Sequence, residues 1–158
     1  MSFLNLTLKK ITASLILLTL LSCGNEQQRI PQAPIAENNI FQFSEHTVYL
    51  STNKTSDLSK DIAKKYNIEI KNNLAMLNVS IIKKSNNKSV TANINITVKN
   101  LLGQIKKIST LAITENDFTS YVFISPISNQ ETLIYSLQVS PEEKYIKKIQ
   151  YQKKFYTD

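Results

Sequence analysis

Thr91-Ala92-Asn93-Ile94-Asn95-Ile96-Thr97-Val98-Lys99 alternates polar and apolar residues without a break. Successive side chains of an extended chain point to opposite faces. Ala92, Ile94, Ile96 and Val98 therefore share one face, and Asn93, Asn95, Thr97 and Lys99 the other. The stretch reads as a strand buried on one side and wet on the other. Upstream, Leu77, Val79 and Ile81 repeat the pattern within Leu74 to Lys84. Asn86-Asn87 separates the two runs, and Asn tolerates the positive φ that tight hairpin turns require. Residues 74–84 and 89–101 are therefore expected to pair as a hairpin.

The same period continues downstream. Leu101-Leu102-Gly103-Gln104 is a turn in which Gly103 supplies backbone freedom. A strand is expected over 105–114, a turn at Glu115-Asn116-Asp117, and a strand over 118–125. The apolar residues of that last strand occupy both parities, as in a central strand. After a loop over 126–130, Leu133, Tyr135, Leu137 and Val139 share one face of the next strand. Pro141-Glu142-Glu143 turns into a final strand that directs Ile149, Tyr151 and Phe155 inward.

Upstream, 40–52 is the first strand. Its apolar phase shifts between Phe41/Phe43 and Val48/Leu50, which suggests a bulge or bend. Thr55 to Tyr66 is the one helical signal after the leader, with Ser56 or Asp57 as cap and Leu58, Ile62 and Tyr66 on one face. The sum is an all-β domain, an antiparallel, immunoglobulin-like β-sandwich of about seven strands, with one short helix covering one end.

The N-terminus carries a different message. Lys9 and Lys10 precede Ile11 to Leu21, a run without charge. Eleven helical residues rise only about 16 Å, short of a ~30 Å hydrocarbon core. This is the length of a signal-peptide apolar region rather than of a spanning helix. It ends in Leu20-Leu21-Ser22-Cys23, which resembles the bacterial lipobox. That resemblance implies a diacylglyceryl group on the Cys23 thiol and cleavage before it. Gly24, in place of Asp, implies sorting to the outer membrane, in the leaflet facing the periplasm. The expected division is a lipoprotein signal peptide (1–22), lipidated Cys23 with a polar, Pro31- and Pro34-containing tether (23–39), and the β-sandwich domain (40–158).

Composition narrows the chemistry. Cys23 is the only cysteine, so no disulfide forms within the chain. The formal charge is +7, of which Lys9 and Lys10 would leave with the leader. Nucleic acid is not an expected partner, because no basic-aromatic module is present. His46 is the only histidine. It is read as a strand residue, since metal or catalytic work needs partners that the sequence does not supply. Asp57 and Asp61 are read as a solvated face with nearby lysines. No metal, cofactor or catalytic residue is assigned. Lipidation at Cys23 is the one assigned site.

Seven segments together resemble a known family: Glu45-His46-Thr47-Val48-Tyr49, Asp61-Ile62-Ala63-Lys64-Lys65-Tyr66-Asn67-Ile68, Leu77-Asn78-Val79-Ser80-Ile81, Asn100-Leu101-Leu102-Gly103-Gln104, Tyr121-Val122-Phe123, Asn129-Gln130-Glu131 and Phe155-Tyr156. Their order and spacing are similar to those of the small bacterial exported family called domain of unknown function 4426. The resemblance spans nearly all of 40–158. It implies a β-sandwich of the cell envelope and carries no catalytic residues with it.

The expected function is a non-enzymatic binding or accessory module. It would be held to the membrane through a lipid anchor at Cys23 and would serve an envelope protein partner. Two alternatives stand beside it. One is a hydrolase of envelope polymers using a carboxylate pair among Asp117, Glu131 and Glu142. The other is a domain that lies on anionic surface through Lys144, Lys147, Lys148, Lys153 and Lys154. The plainer reading of those lysines is an edge strand protected from aggregation.

Overall fold

The computed structural model describes residues 38–43, 45–141 and 146–157. The leader, Cys23 and the tether up to residue 37 lie outside the described residues, as do Glu142, Glu143 and Lys144. Nine strands are described: β1 (Ile40–Gln42), β2 (His46–Lys54), β3 (Leu74–Lys83), β4 (Lys88–Ser89), β5 (Asn93–Asn100), β6 (Ser109–Glu115), β7 (Phe118–Pro126), β8 (Thr132–Ser140) and β9 (Lys147–Lys154). Seven of them are long, as expected; β1 and β4 are short additions. One sheet runs β1-β2-β3-β7-β6, with β4 beside β3, and the second runs β5-β8-β9. The pairings are antiparallel.

The core lies between the two central strands. β3 contributes Ala75, Leu77, Val79 and Ile81, and β8 contributes Leu133, Tyr135, Leu137 and Val139; none is more than 1% exposed. Full burial of such side chains is worth about 1.5–3 kcal/mol each relative to exposure, so this layer dominates the stability of the fold. Val48 and Leu50 from β2, Val98 from β5, Phe123 from β7, and Ile127, Ile149, Tyr151 and Phe155 complete it. Period two on β8 and β9 was thus a faithful guide to the inward face.

The hairpin expected from 74–84 and 89–101 is not formed. β3 and β4 pair over only two residues, Ile82↔Ser89 and Lys83↔Lys88. The chain then leaves for the other sheet, where β5 pairs with β8. The turn itself is as read, with Asn87 at φ 55°. What ends the pairing is β7. The Ser89 hydroxyl donates to Thr119 O (3.1 Å) and accepts from Thr119 N–H (2.9 Å). Ala92 N–H donates to the Tyr121 hydroxyl (2.7 Å). These bonds hold the crossing segment while β7 takes the place beside β3 that β5 was expected to fill.

Three smaller corrections follow from backbone pairing. The phase shift after Phe43 is a hairpin between β1 and β2, closed by Phe43 N–H to His46 O (2.8 Å), and not a bulge. The strand expected from Ile105 begins at Ser109; Ile105 only bridges Lys99. The helical segment is a 3-10 turn (Thr55–Asp57) followed by a helix, Lys60–Lys65, capped by Ser59, whose hydroxyl accepts from Ile62 N–H. Asp57 instead bonds Lys54 N–H. Ala63 is the buried residue of the helix, whereas Ile62 is 47% exposed.

The same segment does not cap an end. The Thr55 hydroxyl donates to Lys71 O beside the end of β2, while Lys65 and Tyr66 bond Glu115 at the far end of β6. The chain between them runs along the outer face of the larger sheet. That course accounts for Met76 and Val122, which face away from the main core and are still buried.

Candidate functional site

The strand directions define two ends of the sandwich. β2, β5, β7 and β9 finish at one end, where β3, β6 and β8 begin. At that end the turn after β5 meets the loop before β8. Asn100 is the hinge of the arrangement and is 7% exposed. Its Oδ1 accepts from Leu102 N–H (3.1 Å) and Gln104 N–H (3.0 Å), so the side chain reinforces a turn that backbone also closes through Gly103 N–H to Asn100 O (3.0 Å). Its Nδ2 donates to Gln104 Oε1 (2.7 Å) and to Glu131 Oε1 (3.0 Å). Gly103 sits at φ +80° in the same turn.

Glu131 ties this turn to the next loop. Oε1 also meets Lys106 Nζ at 2.8 Å, with the two side chains only 12% and 16% exposed. Oε2 accepts from Ser128 N–H (2.8 Å). Burial works against ionisation of Glu131. The bonds from Lys106, Asn100 and the Ser128 N–H outweigh it and hold the carboxyl below its ordinary value. The backbone adds a third strand of the knot: Phe155 N–H donates to Glu131 O (2.8 Å), and Thr157 N–H to Asn129 Oδ1 (3.2 Å). Two loops are thereby clasped through one carboxylate and one amide, and the C-terminal segment is tied to them through Glu131 O and Asn129 Oδ1.

This clasp holds an unusual surface in place. Leu101, Leu102 and Ile105 are 66%, 83% and 72% exposed. The backbone bonds Asn100 N–H to Gln104 O and Lys106 N–H to Val98 O make the turn a short hairpin. Its tip projects past the end of β5. Tyr156, at the same end, is exposed with Lys154 Nζ 5.2 Å from its ring centre. Sequence reading found the turn and missed the surface. The signal was available: two leucines between an amide-closed Asn and a positive-φ Gly have no inward parity to occupy.

Other singled-out residues are dispersed. Asp117 stands in the β6–β7 turn, at the opposite end of β7 from the Glu131 loop, roughly 25 Å away along an eight-step strand. These two carboxylates are not brought together, and Glu142 lies outside the described residues. His46 is buried at the start of β2, also at that opposite end. No group of three His, Cys, Asp or Glu suited to a metal ion occurs among the described residues. The lysines of β9 lie on a strand that, among the described residues, pairs with β8 alone, which makes it an edge. Lys147 Nζ lies 5.0 Å from the Phe43 ring centre.

The family described as domain of unknown function (DUF4426) matches residues 40–158. The chain belongs to that family. No curated protein matches it. A crystal structure of a DUF4426 family protein from Pseudomonas aeruginosa PAO1 is similar in fold, with a TM-score of 0.66 at 20% identity over 75% of this chain and 94% of that one. FetP from uropathogenic E. coli strain F11 aligns at a TM-score of 0.43 and 13% identity, over 74% of this chain and 91% of that one. Three of the segments that carry the family resemblance, 100–104, 129–131 and 155–156, converge in the clasp. No helix among the described residues is long and apolar enough to cross a membrane.

Proposed function

We propose that this DUF4426 member is a bacterial envelope lipoprotein, anchored through a lipid on Cys23, whose sandwich is a non-enzymatic binding or accessory module. The observation that carries the module reading is the use made of Glu131. Its carboxylate is engaged by Lys106, Asn100 and Ser128, all in fixing loops. A carboxylate held low in pKa by three donors is a poor proton donor and serves here to hold a surface in shape. The anchor rests on Leu20-Leu21-Ser22-Cys23 after an uncharged run.

The anchor is tested by Cys23→Ser. The thiolate accepts the diacylglyceryl group far more readily than a hydroxyl does at neutral pH. Wild type is expected to label with a palmitate analogue, to fractionate with membranes and to begin at residue 23. The variant loses the label. An intact mass showing unmodified Cys23 in the wild-type protein overturns the anchor. Crosslinking in intact cells, read by mass spectrometry, tests the module; an envelope protein captured by the sandwich supports it, and turnover of an envelope polymer by the purified protein overturns it.

A further inference from the structure

We propose that the hairpin tip bearing Leu101, Leu102 and Ile105 is a docking element for an anionic lipid surface. Three observations lead there. The tip exposes three large aliphatic side chains on a backbone fixed by Asn100, Gln104 and Glu131, so exposure is a held state of the fold. Such a tip enters the boundary between headgroups and acyl chains without further ordering. Around it the charge is positive. Lys99 precedes the tip and Lys107 follows it, both exposed. The acidic Glu69 and Glu131 at this end are already paired with Lys71 and Lys106. Among the described residues at this end, Asp57 is the carboxylate for which no such lysine pair is seen. Tyr156 adds an amphipathic ring of the kind that settles at membrane interfaces.

The third observation is where the chain enters. β1 runs antiparallel to β2, so Asn38 and Asn39 approach it from the end at which β2 finishes. That is the end that carries the tip. Cys23 lies 15 residues before Asn38, at most about 50 Å of extended chain. The inference leans on the envelope reading for the presence of a membrane, and it is tested without the anchor so that the two fail separately.

The experiment uses residues 25–158. The core lies wholly within this stretch, and the crystallised relative consists almost entirely of the matched domain. Co-sedimentation is measured with vesicles containing phosphatidylglycerol and with vesicles of phosphatidylcholine alone. Binding to the anionic vesicles is expected, and it should weaken as salt rises. Leu101→Ser with Leu102→Ser should lower the partition coefficient at least about tenfold. Lys99→Gln with Lys107→Gln should lower it several-fold and flatten its salt dependence. Both pairs should melt with the wild type, since these side chains are exposed. The chain has no tryptophan, so Leu102→Trp gives a single reporter whose emission should shift to the blue on anionic vesicles. Absence of wild-type binding, or full binding by the double-serine variant, overturns the proposal. So does a double-serine variant that keeps its vesicle binding but loses a protein crosslink in cells, which would assign the tip to a protein partner.

Discussion

Removing the Glu131 carboxylate should do more damage than any other single change on the surface of this domain. In Glu131→Ala the Lys106 ammonium loses its partner while its side chain is 16% exposed. Asn100 Nδ2 and the Ser128 N–H each lose an acceptor. Stranding one member of a buried pair costs about 3–5 kcal/mol. The low end applies here, because Lys106 keeps some water, which gives roughly 3 kcal/mol. For a domain of this size that is a fall of about 10 °C in melting temperature. Differential scanning calorimetry of residues 25–158 reads it directly. Replacing both partners, as Lys106→Met with Glu131→Leu, should cost less than Glu131→Ala, since no charge is left buried. The pH dependence follows from the same bonds. The folded pKa of Glu131 lies below its ordinary 4.5. Its contribution is therefore present above about pH 4.5 and is lost as pH falls through the folded value. Glu131→Gln should remove that acid-side slope. A Glu131→Ala protein that melts within a degree or two of wild type would refute the idea that the clasp holds this end.

Two further outcomes test the interior and the turn. Tyr135 is 1% exposed, and its hydroxyl and that of neighbouring Ser125 make no hydrogen bond of normal geometry. Burial pushes the phenol above its ordinary 10; the folded protein keeps a proton that the unfolded chain releases, so stability present below pH 10 falls as pH rises beyond it. Tyr135→Phe should flatten that alkaline fall in urea titrations and leave stability at pH 7 unchanged or raised by up to about 1 kcal/mol. Gly103→Ala meets no atom within 4 Å but must hold φ +80°; about 1 kcal/mol of strain is expected, read as faster amide exchange confined to 100–106.

The sequence disclosed faces far better than neighbours. Leu133 to Val139 alternate, and alternation fixes which side is buried, so the β8 core was legible at every position. For Ala92 to Val98 the same logic placed the strand but not its partner. Nothing local says whether a turn closes a hairpin or begins a crossing; here Ser89 and Tyr121 decide it through bonds to a strand some 30 residues away. The helix misled because Lys60–Lys65 is too short to present a stripe. The small Ala63 allows close approach, and the larger Ile62 stays outside. The clasp was illegible for the same reason as the crossing. Glu131 was visible as a turn residue, but its partners Asn100 and Lys106 lie 31 and 25 positions back, beyond any period.

The crossing from β4 to β5 also sets an order of events in time. β2 and β3 pair across a single connection and can close as soon as both are free to fold. β5 cannot; its partners in β8 lie 33 to 47 residues further on, from Asn100↔Leu133 to Asn93↔Ser140. That is a longer wait, because a longer loop has to close before the pairing can form. Through it, Ile94, Ile96 and Val98 stand beside β3 with only a two-residue ladder and an Asn-Asn turn between them. The local hairpin that the sequence so readily suggests is then the nearest competing structure, and it must open before β7 and β8 can take their places. Folding of this sandwich is governed by late, long-range closure, slow in the manner of high contact order, with the most strand-like stretch of the chain among the last to find its home.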